Sequence, residues 1–224
     1  MPDEGRGVVM LMTKSILTFL LFLAFLFQGC AVGNVYNFSD VKAVLQAAPQ
    51  KNNNVAVATL DKRDVIISKT CPPTYIGMQR AGFGNPWRVN TASGRPLSDD
   101  VTKAVSESLA IRGFRTVPVI VSYDLTEPQV KELLTQKKAD RSIFVMIRQW
   151  ESDTYMNIGL TYEIWLMVFG PNKELLADTS ASDTKNIAGS FWDPPAAAKE
   201  KVPEAFKAVL EALLNDPKVI AALK

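Results

Sequence analysis

Two stretches of strict alternation constrain this chain more than anything else in it. Ile143, Val145 and Ile147 recur at every second position, as do Ile158, Leu160, Tyr162, Ile164, Leu166 and Val168. Side chains of a strand point alternately to its two faces, so each set marks a strand with one apolar face. A turn centred near Thr154 and Tyr155 pairs Val145 with Ile164 and Ile147 with Tyr162, which joins both sets on one face of a long hairpin. A slip of one residue would turn one set away from the other, so the register is strongly specified. Such a hairpin commits the chain to a sheet whose core lies against that face.

The remaining segments supply the other elements. Residues 55–60 are a β-branched run between polar residues and read as the first strand, with 65–68 beside it. Ser98, Asp99 and Asp100 open a helix: a hydroxyl cap, then acids at the positive end of the dipole. Val101, Ala104, Val105 and Leu109 share one face of it, and Arg112 with Gly113 ends it. Residues 114–123 are extended, and Pro118, having no N–H for a ladder, assigns them to a sheet edge. Thr126 opens a shorter helix through Val130, Leu133 and Leu134, and residues 175–182 return as a strand. After Asp193, Pro194 and Pro195 a helix runs to Leu214, restarting or kinking at Pro203, with Phe206, Val209, Leu210, Leu213 and Leu214 buried. This order predicts an α/β (α+β) fold, a mixed, largely antiparallel sheet with helices packed mainly on one face. Residues 71–96 hold Pro72, Pro73, Gly77, Gly82, Gly84, Pro86, Gly94 and Pro96 and read as one long loop, of a kind that often carries function.

The N-terminus bears on location. After Lys14 the stretch 15–27 is almost wholly apolar and stops at Gln28, Gly29 and Cys30, the three-part layout of a secretory signal. Residues 16–27 are fewer than the roughly 20 that a hydrocarbon core demands. The tail Leu26, Phe27, Gln28, Gly29, Cys30 resembles the lipobox of bacterial lipoproteins. The resemblance implies a signal peptide over 1–29 and a Cys30 carrying diacylglycerol on sulfur and a further chain such as palmitate on nitrogen. By similarity to the sorting rule of enteric bacteria, Ala31 after the cysteine implies the periplasmic face of the outer membrane. Met12 serves as the start as readily as Met1. Residues 30–54 read as the lipidated N-terminus and a tether, with a short helix over 39–48, and 55–224 as a single periplasmic domain. If Cys30 is acylated, Cys71 is left single; otherwise the two can form one disulfide.

Composition then excludes classes of chemistry. The chain has no histidine, which removes Ser-His-Asp and Cys-His sites and the commonest transition-metal ligand. The net charge of +2 provides no field for nucleic acid. Asp61, Asp64, Glu151 and Asp153 sit near strand ends, where acids ordinarily solvate turns, and the polar stretch 178–186 lacks calcium-loop spacing. We expect no enzyme activity, no cofactor and no metal.

The strand 55–60, the helix 99–113 closing on Arg112, Gly113 and Phe114, and the hairpin 143–169 together resemble the YajG-type family of uncharacterised bacterial lipoproteins, over roughly residue 54 to the C-terminus. That resemblance brings no established activity. The architecture is also similar to small envelope α/β domains such as the N-terminal domain of TolB. Arg80, Phe83, Trp87 and Arg88 in the glycine- and proline-rich segment mix arginine and aromatics in the manner of protein-contact surfaces. On the second face of the hairpin, Arg148 and Trp150 stand with Glu163, Trp165, Met167 and Phe169, a face too apolar to be left bare. The expected partner-binding residues are Phe83, Trp87, Arg88, Arg80, Trp150 and Trp165, on a lipid-anchored interaction or assembly module of the envelope. Alternatives are a self-assembling subunit of an envelope complex or secretion channel, or a hydrolase or transferase acting on wall or lipid.

Overall fold

The structure is a computed structural model and describes residues 34–49, 53–80, 84–189 and 193–224. The leader, Cys30 and Phe83 lie outside the described residues.

The organising element is the long strand β6 (Arg141–Thr154), which pairs antiparallel with β7 (Asn157–Phe169); β7 in turn pairs with β8 (Leu175–Gly189). On its other edge β6 is shared. Its first half pairs in parallel with β2 (Asn54–Asp61) and its last three residues pair in parallel with β3 (Tyr75–Arg80). Beyond β2 lies β5 (Arg115–Val119), and beyond β3 lie β4 (Pro86–Thr91) and the short β1 (Val35–Tyr36). The sheet is mixed: four ladders are parallel, but the three antiparallel ones include the longest.

Central β2 is buried on both sides, and its alternation separates two cores. Val55 and Val57 point to the larger one, with α2 (Leu97–Ile111), α4 (Pro194–Leu214) and α5 (Pro217–Ala222). Ala56, Ala58 and Leu60 point to the smaller one, where α3 (Glu127–Thr135) brings Val130 and Leu134 against Phe144 and Phe169. Helices therefore cover the first face broadly and the second only at one end. Helix α2 ends as expected: Gly113 takes φ +96, its N–H bonds Ala110 O, and the Phe114 N–H reaches back to Leu109 O. It begins two residues early, at Leu97, with Pro96 rather than Ser98 in the capping position. Pro118 does sit on an edge strand, and α4 continues through Pro203 as one helix.

Four expectations are corrected. Residues 34–49 are no tether: Tyr36 and Phe38 are wholly buried, and Ala43, Leu45 and Ala47 follow them into the core outside any helix. Their backbone finds partners on the helices, with the Ala43 N–H donating to Ser108 Oγ at 2.9 Å and the Gln46 N–H to Asn215 Oδ1 at 2.7 Å. Residues 65–68 lie in a helical turn, α1 (Asp64–Ile67), and its end rather than in a strand. The glycine- and proline-rich segment contains the β3–β4 hairpin, not one loop. Finally, the β6–β7 register is displaced, with Val145 opposite Leu166 and Ile147 opposite Ile164, and it carries a bulge between Ile147 and Gln149.

Candidate functional site

The bulge decides which side chains reach the surface. Before it, odd-numbered β6 residues face the large core; after it, even-numbered ones do, because Arg148 is an extra residue in the ladder. Trp150 is thereby turned inward, 1 % exposed, with its ring edge-on to Phe38 at 5.6 Å and to Phe206 at 5.4 Å. Its expected place on the second face is wrong: unbroken alternation would have put it there, and the bulge reverses the parity.

On the second face the residues following the bulge are Gln149, Glu151 and Asp153, opposite Glu163, Thr161 and Gly159 of β7. Trp165 stands further along the same face, 36 % exposed, with the Arg148 guanidinium 5.8 Å from its ring and its Nε1–H donating to Glu163 Oε1 at 2.9 Å. Register carries this face across β3 and β4: Asp153 lies beside Met78, and Met78 opposite Arg88. Arg80 bonds Asp153 with both Nε and Nη2, the latter at 2.7 Å. Arg80, Arg88, Arg148 and Trp165 thus share one surface, while Trp87, opposite Gln79 and in register with Thr154, belongs to the other face.

A cleft of about 390 Å³ opens in this surface, lined by Lys62, Asp64, Arg148, Glu151 and Glu163 among others, and a second of the same volume continues past Glu151 and Asp153 towards Lys185 and Asn186. At the floor of the first, β2 and β3 diverge from β6 and leave backbone carbonyls unladdered. Arg63 fills that fork. Its Nη1 donates to Tyr75 O at 2.7 Å and Trp150 O at 3.2 Å, and Asp61 balances its charge through Nη2–Oδ2 at 2.7 Å. Asp61 is thus a buried ion-pair partner rather than an exposed turn acid. Sequence reasoning missed Arg63; a charged pair two residues apart after a β-branched strand was its only signal.

Three further carboxylates along the clefts, Glu151, Asp153 and Glu163, are also engaged. Glu151 accepts from the Tyr75 hydroxyl at 2.6 Å; burial, then that hydrogen bond to a carboxylate, raises the phenol pKa well above its ordinary value. Asp153 is held by Arg80 and Glu163 by Trp165. Such an arrangement can present charge and aromatic area to a partner, and Asp61, Glu151, Asp153 and Glu163 each already accept from a neighbour. Among the described residues no group of three metal-ligating side chains converges, and no helix is long and apolar enough to cross a membrane. Residues 178–186 form part of β8, and Cys71 is a free, half-buried thiol.

No family model and no curated protein matches this chain. Among solved structures, protein XCC0632 from Xanthomonas campestris, described as a DUF330 protein, is similar with a TM-score of 0.52 at 15% identity, over 84% of this chain and 96% of that one. Lipoprotein GNA1162 from Neisseria meningitidis gives 0.30 at 13% identity, over 70% and 99%. PelC from Paraburkholderia phytofirmans, a dodecamer in its crystals, gives 0.37 at 10% identity, over 78% and 96%. The likeness to XCC0632 is one of fold alone.

Proposed function

We propose that this chain is a lipid-anchored envelope protein that acts by holding a protein partner on the second face of its sheet, and not by catalysis. The observation that carries the reading is the uncovered half of that face: Arg148 over Trp165, with Arg80 and Arg88 on the strands beside it, around a polar cleft. Arginine and tryptophan are the side chains that most often dominate protein interfaces. Engagement of Asp61, Glu151, Asp153 and Glu163 by hydrogen-bonding neighbours supports the non-catalytic part of the reading. The anchor rests on the sequence 26–30, the outer membrane on Ala31, and membership among YajG-type lipoproteins on segments 55–60, 99–113 and 143–169.

Crosslinking of the acylated protein in its own envelope tests this. The Trp165→Ala/Arg88→Ala variant should lose its crosslinked partner band while keeping its urea midpoint. An unchanged band would count against the reading. A second reading, self-assembly, is favoured by β8, fifteen residues long and, among the described residues, paired only with β7. An open edge of that length is a template for another strand. Sedimentation of the purified protein separates the two, since a single-chain mass leaves the edge without a role in assembly.

A further inference from the structure

Topology gathers several exposed apolar side chains at one end of the sheet. Strand β3 ends beside the end of β6, because Gln79 is in register with Thr154, so the end of β3, the start of β4 and the β6–β7 turn lie at one end of the sheet. Trp87 is 42 % exposed there, and Tyr155 and Met156 at the turn are 44 % and 55 % exposed. Strand β1 has Val35 in register with Asn90, and its N-terminal side faces this end. It runs parallel to β4, which begins here, and the Asn34 side chain donates to Gln79 Oε1 at 2.6 Å, level with Trp87.

Only three residues lie between Cys30 and Asn34, so four Cα steps give a reach of at most about 14 Å. Strand β6, with 14 residues, spans roughly 45 Å, so a bilayer holding Cys30 cannot lie against the opposite end, where Ile111 closes α2. The chain between lipid and domain is short enough to press the Trp87 end onto the membrane. Trp and Tyr are also the side chains that favour the level of the headgroups, with an apolar body and a polar tip. Arg80 is already neutralised by Asp153, so apolar insertion rather than attraction to anionic lipid carries the contact.

We infer that Trp87, Tyr155 and Met156 form a second membrane contact, seating this end of the sheet in the bilayer surface beside the anchor and leaving the Arg148–Trp165 face free for a partner. The inference rests on the reading of Cys30 as acylated. A Cys71→Ser background carrying Met156→Cys, labelled with an environment-sensitive dye, tests it against Ile111→Cys at the far end. The full protein is placed in phosphatidylcholine vesicles with and without brominated chains, and its mass is measured for acyl groups. Strong blue shift and quenching at position 156, with neither at 111, is the expected result. An acylated sample whose 156 label stays as wet as the 111 label overturns the membrane contact and leaves the anchor standing. Quenching at 156 in an unacylated sample supports the contact and removes the anchor; no quenching there overturns both. Shielding of the 156 label without vesicles, together with a doubled mass, puts a second copy on this end and overturns the inference.

Discussion

Removing the Arg63 guanidinium would strand three groups at once: the Asp61 carboxylate and the carbonyls of Tyr75 and Trp150. A buried ion pair need not stabilise a fold relative to apolar residues, but breaking one leaves an uncompensated charge and costs about 3–5 kcal/mol. Arg63→Ala is expected to lose that much in urea denaturation, and Asp61→Ala/Arg63→Ala to lose less than Arg63→Ala alone, because the orphaned charge is gone. Asp100 makes a different prediction. Burial raises its pKa, against the opposing pull of the Ser93 hydroxyl and Arg95, and Asp99 beside it is raised by burial too. A carboxyl whose folded value exceeds its unfolded one holds its proton better in the folded state. Its contribution is therefore full below the ordinary carboxylate range and lost as pH rises through the raised value. Asp100→Asn keeps an acceptor for Ser93 and cannot ionise. Its urea midpoint should match the parent at low pH and exceed it increasingly as pH climbs through that range; a constant difference would contradict burial as the cause.

The junction of β3 with β6 depends on a glycine, because a Cβ on Gly77 would lie 2.2 Å from the backbone oxygen of Ser152, at a φ of +153. Gly77→Ala should separate the two strands and cost more than about 3 kcal/mol. Gly84→Ala, with φ +79 but open space around it, should cost only about 1 kcal/mol. Urea midpoints of the two variants check the contrast. Strands such as β2, β6 and β7 were legible because burial of one or both faces writes a period of two or a continuous apolar run into the sequence. The β3–β4 hairpin was not: its glycines and prolines serve a close approach, a positive φ and an edge, and composition alone cannot separate those uses from a loop. Trp150 failed for a related reason. The bulge leaves one trace, an apolar residue three positions after Ile147 instead of two, and a single irregular spacing reads equally well as the end of a pattern. Arg80, Arg88 and Trp165 were legible as surface residues, but their sharing one face became visible only from the register.

At the level of the whole molecule, residues 34–49 decide where the domain starts and how freely it sits. Alternation of Ala43, Leu45 and Ala47 is period two, yet alanine carries too little hydrophobic contrast to announce a buried segment, and the Pro49 to Asn54 run beside it suggested a linker. In the fold the segment closes the large core, with Phe38 edge-on to Phe206 at 4.8 Å and to Trp150. A tether would tolerate Phe38→Ala at no cost; a core residue of this size loses about 3–5 kcal/mol on truncation. We expect the larger figure, with Trp150 emission shifted to the red as its cover is lost, and deletion of 34–49 to abolish cooperative unfolding. On the proposed acylation of Cys30, only residues 31–33 lie between the lipid and this packed segment. Lengthening that stretch with a Gly/Ser insert between Cys30 and Asn34 should preserve stability, since it leaves the core intact. It should lower the quenching of a label at position 156 in brominated vesicles, because a longer chain no longer forces the Trp87 end onto the bilayer.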